Sequence, residues 1–258
     1  MNQSFPKRNG RIIAQFSCGA ASAVATKLAI AKYGDAVEIY RQDTGSEHPD
    51  NERFQADCEK WFGKTVNVIR SETFADHFDV CEQRRYLSGV GGAPCTGELK
   101  KKPFMEVWRL GDVEVFGYTA NERGRIERWR KNNTERIIEC PLIDHNLSKA
   151  DCFGMLDRAG IEIPMMYKLG FRNANCIACV KARDSVDYWR RTRKHFPQQF
   201  ERMAALERTL GHAINRESKG GLKTPIFLDE IPPGDPVGAD PDIQCGLFCM
   251  AESENLNQ

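Results

Sequence analysis

The sequence has no apolar run approaching the roughly 20 residues that a helix needs to cross a bilayer. Its first ten residues are polar and lack the apolar segment of a secretory signal peptide. It also lacks a charge excess, because 37 basic and 36 acidic residues leave a formal net charge of +1. That balance gives the whole chain no attraction to nucleic acid or to a membrane surface. We therefore expect a cytoplasmic protein with no membrane partner.

Internal repeats and low-complexity tracts are also missing, which excludes repeat and fibrous architectures. The 258 residues are 41% hydrophobic, enough to bury the core of one α/β domain with an appendage. Ten cysteines are present. A reducing compartment disfavours disulfides, so we expect these thiols to be buried packing groups or, where they cluster, metal or redox groups.

Short apolar runs alternate with segments of helical periodicity through the first 147 residues. The predicted strands are 11–16, 37–40, 66–69, 113–118 and 136–139. This alternation predicts a doubly wound, mainly parallel five-stranded α/β sheet, with ligands outside the carboxyl ends of its strands. Residues 148–258 are predicted to form a helical, cysteine-bearing C-terminal region packed on that domain.

Helix formers and capping residues place helices between and after these strands. The predicted helices are 20–33, 49–62, 74–82, 100–110, 148–159 and 188–210, the last interrupted at Pro197. Residues 220–242 are rich in glycine and proline and are predicted to be mostly loop.

Small residues fill the turn between the first predicted strand and helix. The predicted phosphate contacts in this turn are Ser17, Cys18, Gly19, Ala20 and Ser22. Small side chains let a phosphate approach the backbone, and the amides and dipole of a helix N-terminus attract it. The same composition also suits a tight βα turn with no ligand, so the motif alone leaves both interpretations open.

A second polar turn, Asp43, Thr44 and Gly45, follows the second predicted strand. A carboxylate and a hydroxyl at a strand end can bind the ribose or the base edge of a nucleotide. These residues are equally natural at a helix N-cap. The residues alone leave both interpretations open.

A third segment follows the fourth predicted strand and contains Gly117, Glu122, Arg125 and Arg128. Arginine binds anions through its planar fork of donors, and we assign anion contact to Arg125 and Arg128. The alternative is a basic helix face that is simply solvated.

Cysteine pairs form the fourth motif. Cys176 and Cys179 are separated by two residues, Cys245 and Cys249 by three, and Cys95 is a fifth candidate. Closely spaced thiolates can hold one metal ion or one cluster. Thiolate ligation suits both zinc and iron–sulfur centres, and buried thiols without a metal are the third alternative.

Residues 188–196 interleave aromatic and basic side chains. Such a stretch can bind RNA or DNA, and it is also typical of an amphipathic helix that buries its tryptophan. We favour the amphipathic helix.

These motifs, taken in order, resemble the phosphoadenosine phosphosulfate (PAPS) reductase family of the PP-loop superfamily, which includes phage and defence-island relatives. Residues 17–22 resemble the S-G-G-x-D-S loop, with Cys18 and Ala21 replacing its second Gly and its Asp. Residues 43–49 resemble the D-T-G segment, and residues 95–103 resemble the C-C-x-x-R-K-x-x-P of cluster-bearing reductases. Residues 244–247 resemble the segment that carries the catalytic cysteine, here Cys245.

The resemblance implies a Rossmann-like PP-loop fold and an enzyme, an oxidoreductase or a sulfurtransferase. It implies an adenine nucleotide, ATP or PAPS, with Mg²⁺ left open, and catalytic roles for Cys245, Lys100 and Arg125. It favours an iron–sulfur cluster over zinc, with ligands drawn from Cys95, Cys176, Cys179, Cys245 and Cys249. An electron-donor protein and a homodimer are left open.

Two alternatives remain. The first is an ATP-dependent sulfurtransferase or modification-system component that acts on tRNA or DNA. Its basic groove would use residues 100–102, 123–131 and 190–194. The second is a non-catalytic nucleotide sensor, which the replaced Asp of the loop suggests.

Overall fold

The computed structural model describes residues 10–89, 91–219 and 222–238, the side chains of Asn132, Ser218 and Lys219 aside. The strands of its main sheet are β1 (Ile12–Gln15), β2 (Val37–Asp43), β3 (Asn67–Arg70), β4 (Val113–Val115) and β5 (Ile137–Glu139). Their order is β3-β2-β1-β4-β5. β1 pairs in parallel with β2 and β4, and β4 pairs in parallel with β5. This is the five-stranded, doubly wound α/β sheet that the sequence predicts.

Helices connect and follow these strands. In chain order they are α1 (Ala20–Tyr33), α2 (Asp50–Phe62), α3 (His77–Arg84), α4 (Pro94–Thr96), α5 (Lys102–Val107), α6 (Arg123–Asn132), α7 (Pro141–Asp144), α8 (Lys149–Arg158), α9 (Met165–Lys168), α10 (Val186–His195) and α11 (Pro197–Leu210). A π-helical segment, Gly97–Lys101, joins α4 to α5. Within the described ranges, no helix is long and apolar enough to cross a membrane.

The chain divides into two compact units that are discontinuous in sequence. The first unit comprises Met1–Gln42, Pro49–Ile69 and Pro103–Pro164, and the second comprises Asp43–His48, Arg70–Lys102 and Met165–Gln258. The first therefore contains the loop at residues 17–22 and the segment after β4. The second contains the Asp43 turn and the described candidate metal ligands. The predicted boundary after residue 147, between the nucleotide-binding domain and the C-terminal region, stays a prediction.

Burial explains why the apolar runs become strands. Ile13 and Ala14 of β1 are fully buried, as expected for the central strand of a sheet covered on both faces. Phe16 packs its ring on Phe54 and Phe62 of α2, with ring centroids 6.2 and 5.7 Å apart. The core of the second unit centres on buried side chains of α10 and α11, among them Trp189.

Most of the predicted helices have the expected bounds. α1 begins and ends where its sequence predicts, and Ser148 caps α8 by accepting a hydrogen bond from the Asp151 amide. α10 and α11 are separated at Pro197, because proline has no amide with which to continue a helix. The helix predicted at 100–110 is shorter, since α5 ends at Val107.

The prediction that residues 220–242 are mostly loop misses a hairpin. Strands β6 (Asn215–Lys219) and β7 (Leu222–Ile226) pair antiparallel, with Lys219 opposite Leu222. Their sequences carry few apolar residues, so they lack the alternation that marks a half-buried strand. The signal that the prediction overlooked is the Gly220-Gly221 pair between them, a typical hairpin connection.

Candidate functional site

The loop at residues 17–22 connects β1 to α1, as predicted. Ser17 is exposed, and Gly19 is the N-cap of a 14-residue helix with no acidic residue in its first turn. A helix start without a local carboxylate keeps its positive potential for an external anion. The loop therefore has the electrostatic character of a phosphate site.

One buried hydroxyl holds this loop in shape. Ser22 Oγ accepts hydrogen bonds from the backbone N–H groups of Ser17, at 3.1 Å, and Gly19, at 3.3 Å, and donates to the Gly19 carbonyl at 2.9 Å. Cys18 has a φ of 53°, in the left-handed region that favours glycine. This is the position at which the S-G-G-x-D-S motif that the loop resembles carries glycine. Ser22 thus has an organising role in addition to its predicted contact with phosphate.

Gly117 lies against the start of α1. A Cβ on Gly117 would come within 2.6 Å of both the Cα and the N of Ser22, a distance that real Cβ atoms do not show. Only glycine lets the backbone beyond β4 approach the loop this closely. The structure therefore brings together the first and third motifs of the sequence.

The segment after Gly117 has its own internal hydrogen bonds. Glu122 Oε2 accepts from the Thr119 amide at 3.0 Å and from the Thr119 hydroxyl at 3.1 Å. Arg125 lies 3.4 Å from Glu122 and 4.9 Å from the centroid of the Tyr118 ring. Arg128 is exposed. Glu122 is thus a helix-start cap and a partner of Arg125, and Arg128 is the more accessible of the two predicted anion contacts.

The Asp43 turn belongs to the second unit and is built around the Asp43 carboxylate. Asp43 Oδ1 accepts from the Gly45 amide at 2.9 Å, and Arg70 donates to Oδ2 through Nε, also at 2.9 Å, and through Nη2. Gly45 has a φ of 65°, and a Cβ there would come within 2.0 Å of the Ala75 carbonyl oxygen. In this structure Asp43 and Gly45 shape the turn, and their predicted contact with a nucleotide stays a prediction.

Three of the predicted metal ligands line one small cavity in the second unit. The side chains around it are Thr44, His77, Cys95, Thr96, Leu99, Lys100, Cys176 and Cys179. Its volume is about 10 Å³, close to the room that one water molecule needs. We call it the thiol cavity. It also contains Lys100, predicted from the same motif as Cys95.

Backbone and side-chain contacts hold the Cys176–Cys179 turn rigid. The Thr44 hydroxyl lies 3.2 Å from Cys176 Sγ, and the Cys179 amide donates to the buried hydroxyl of Tyr188 at 2.9 Å. Burial raises the pKa of Tyr188 well above its usual value, so this phenol stays neutral. Ala178 takes a φ of 55° inside the turn.

His77 is a site residue that the sequence analysis missed. It is buried at the start of α3, with Nδ1 2.7 Å from Ser46 Oγ and Nε2 3.1 Å from the Ala178 carbonyl oxygen. Both ring nitrogens are engaged, so His77 supports the Cys176–Cys179 turn and is not positioned as a metal ligand. The one local feature of the sequence that could have drawn attention to His77 is its position directly after Asp76, the N-cap of α3.

The expected cluster does not fit these residues as they stand. Among the described residues, no group of three or more histidine, cysteine or acidic side chains could hold a metal ion. The thiol cavity has room for one water-sized species, whereas an iron–sulfur cluster needs four ligands around several atoms. Cys245 and Cys249, predicted as further ligands, lie outside the described residues.

The other described cysteines behave as packing groups, as predicted. All eight cysteines in the described ranges are buried, and none of them forms a disulfide. Burial raises the thiol pKa of Cys81 and Cys140 to about 12 and that of Cys152 to about 11. Thiols held this firmly in the neutral form are poor nucleophiles and poor metal ligands.

The basic and aromatic stretch of α10 is an amphipathic helix, as favoured above. Trp189 is fully buried and donates from Nε1 to the Ala182 carbonyl at 2.9 Å. Arg193 donates to the carbonyls of Leu228 and Ile231, each at 2.9 Å, and Lys194 pairs with Asp235. These cations contact the chain segment that follows α11, and the nucleic-acid groove of the first alternative stays a prediction.

Three comparisons with known proteins gave matches among solved structures alone. No family model matches the chain, and no curated protein matches it. Among solved structures, the chain is similar to a crystal structure of phosphoadenylyl-sulfate (PAPS) reductase from Candida auris in complex with phosphate. The two chains share 12% sequence identity, and the TM-score is 0.48. The match covers 67% of this chain and 82% of the reductase chain.

Proposed function

We propose that this chain is a PP-loop enzyme that binds an adenine nucleotide at residues 17–22 and uses it in sulfur chemistry. The observation that carries the proposal is the close approach of Gly117 to Ser22, 2.6 Å from a hypothetical Cβ to the Ser22 backbone. Because of that approach, the start of a helix, a loop of small residues and a segment that carries arginines lie side by side in one unit. A βα turn that binds no ligand does not require this arrangement.

The residues of the loop have different roles in the proposed phosphate binding. Backbone amides at the start of α1 and the exposed Ser17 hydroxyl supply donors to the phosphate oxygens. The Ser22 hydroxyl keeps the loop in shape through its bonds to residues 17 and 19. Arg128, which is exposed, supplies positive charge from the segment after Gly117. Cys18, Gly19 and Ala20 contribute backbone rather than side-chain contacts.

The substrate that we propose is an adenylyl sulfate such as PAPS, with reduction of its sulfate group to sulfite. The resemblance assigns the role of nucleophile to Cys245 and the neutralisation of anionic charge to Lys100 and Arg125, and these roles stay predictions. We assign no step of the proposed reduction to a metal centre. The resemblance also predicts an iron–sulfur cluster, with zinc as the alternative. It leaves open Mg²⁺, an electron-donor protein and a homodimer.

Turnover assays with the full-length protein test this proposal. Incubation with PAPS and a dithiol reductant should release sulfite together with the adenosine bisphosphate. Cys245→Ser should abolish sulfite release without changing nucleotide affinity, and Cys81→Ala, at a buried cysteine that is not a candidate ligand, is the control. Release of AMP and pyrophosphate from ATP, with no sulfite from PAPS, would favour the ATP-dependent sulfurtransferase. No turnover of either nucleotide would favour the sensor.

A further inference from the structure

One segment of the second unit is held mainly by polar contacts from a single helix. Residues 232–238 follow the buried Ile231, and only Pro236 among them is partly buried. The Val237 side chain is 91% exposed. Burial of apolar surface therefore contributes little to the order of this segment. Because fixing a chain costs conformational entropy, the contacts that fix it call for a reason other than packing.

The contacts come from α10 and are made largely to the backbone. Arg190 donates to the Pro232 carbonyl at 3.2 Å, and Arg191 donates to the Gly238 carbonyl, also at 3.2 Å. Contacts to carbonyl groups fix the path of the chain whatever side chains it carries. The helix thus binds both ends of the segment.

Asp187, in the first turn of α10, binds the two residues that end the segment. Its Oδ1 accepts a hydrogen bond from the Val237 amide at 3.1 Å, and its Oδ2 accepts one from the Gly238 amide at 2.9 Å. A Cβ on Gly238 would come within 2.6 Å of Asp187 Oδ2, so any side chain there would displace the carboxylate. The first turn of a helix also suits a negative charge.

Tyr188, the next residue of α10, binds a different segment. Its buried hydroxyl accepts a hydrogen bond from the Cys179 amide at 2.9 Å, and Cys179 lines the thiol cavity together with Lys100. Adjacent residues of one helix therefore bind the turn that carries the first cysteine pair and the segment that leads to the second pair.

Chain length limits where the second pair can lie. Cys245, outside the described residues, is seven residues beyond Gly238. Seven residues span at most about 25 Å when fully extended. A backbone fixed at Gly238 therefore keeps Cys245 within that distance of α10. A backbone released as far back as Ile231 would double the length of the free chain and lower the effective concentration of its thiol about threefold.

We infer that Asp187 is a positioning residue for the C-terminal cysteine segment. Its carboxylate fixes the backbone at Val237 and Gly238 and so limits the region that Cys245 can reach. The inference deepens the proposed function and rests on it, because it takes Cys245 as the predicted nucleophile. Asp187 acts through the backbone and needs no contact with the substrate.

Amide hydrogen exchange on the full-length protein tests this contact without any substrate. Wild type should protect the amides of residues 237 and 238, and Asp187→Ala should raise their exchange about tenfold, the effect of one hydrogen bond to a charged group. Asp187→Asn keeps one acceptor oxygen and should give an intermediate rate. Gly238→Ala displaces the carboxylate from the other side and should also expose the amide of residue 237.

The kinetics of sulfite release separate positioning from a purely structural role. In the Asp187→Ala variant, kcat should fall about threefold. The KM for PAPS should not change, because the loop at residues 17–22 belongs to the first unit. Asp235→Asn is the control on the same segment. It removes only an exposed pair with Lys194, and such pairs contribute little, so exchange and kcat should stay as in wild type.

Two results would overturn the inference. The first is unchanged exchange at residues 237 and 238 in the Asp187→Ala variant. The second is faster exchange with an unchanged kcat, which would reduce Asp187 to a structural contact. A wild-type protein that releases no sulfite would contradict the proposed function instead, and the exchange measurement would still decide whether Asp187 fixes the segment.

Discussion

Glu207 is a fully buried carboxyl group that joins three segments of the second unit. It lies on α11 and accepts hydrogen bonds from the backbone amides of Ile214 and Leu228. Burial raises its pKa from 4.5 to about 7, and the two amide bonds only partly oppose that shift. The folded chain therefore binds a proton here more tightly than the unfolded chain does.

This shift predicts a pH-dependent stability. The contribution of Glu207 is complete below pH 4.5 and is lost as the pH rises through about 7. About 3 kcal/mol of unfolding free energy should disappear over that window. Glu207→Gln, which does not titrate, should remove this part of the pH dependence in chemical denaturation. Glu201→Gln, an exposed position on the same helix, should not, and equal pH profiles for wild type and Glu207→Gln would contradict the prediction.

Single residues show how far the candidate site could be predicted from the sequence. Cys95, Cys176 and Cys179 were selected by spacing and resemblance, and they do line one cavity. Thr44 was selected for a nucleotide, yet its hydroxyl contacts a thiol 132 residues away in sequence. Thr96 stands at the second cysteine of the C-C-x-x-R-K-x-x-P pattern, and the sequence analysis gave it no role. Contacts at such sequence separations depend on the packing of the whole unit, which local patterns do not contain.

At the scale of elements, the junction between β4 and α1 is the most constrained part of the first unit. Gly117→Ala would place a Cβ 2.6 Å from the Ser22 backbone and 2.7 Å from the carbonyl carbon of Ala21. Backbone atoms cannot swing aside as a side chain can, so the start of α1 must shift. We predict a loss of about 1–3 kcal/mol in unfolding free energy, typical of overpacking.

Gly124→Ala is the matched control for that substitution. A Cβ on Gly124 meets only Arg128 Nη1, at 3.8 Å, an ordinary contact, and alanine favours a helix more than glycine does. Chemical denaturation should show this variant to be as stable as wild type or slightly more so. Equal stability of the Gly117→Ala variant would show that the junction is looser than described.

The elements that could be predicted are those with a strong apolar signal. β1 and β2 were found because their buried runs end at polar turns. The predicted strand at 113–118 was too long, because the chain leaves the ladder after Val115 and turns toward α1 at Gly117. β6 and β7 were missed because their sequences are largely polar and carry no apolar alternation, and β7 is exposed at all but its last residue.

For the molecule as a whole, the sequence gives the order of elements but not their grouping. The second unit collects the Asp43–His48 turn, residues 70–102 and the C-terminal segment. Nothing in the local pattern separates the Asp43 turn from the strand that precedes it. Nucleotide binding therefore needs a test that is confined to the loop of the first unit.

The most direct test of the central claim is the binding of ATP and PAPS, measured by isothermal titration calorimetry on wild type, Ser17→Asp and Asn146→Asp. Each variant adds one negative charge to an exposed residue of the first unit. An aspartate at residue 17 suits the start of α1, so folding should persist while repulsion lowers nucleotide affinity about tenfold or more. Asn146→Asp should bind as wild type does. Absence of binding in wild type, or equal affinity in the Ser17→Asp variant, would contradict a phosphate site at residues 17–22.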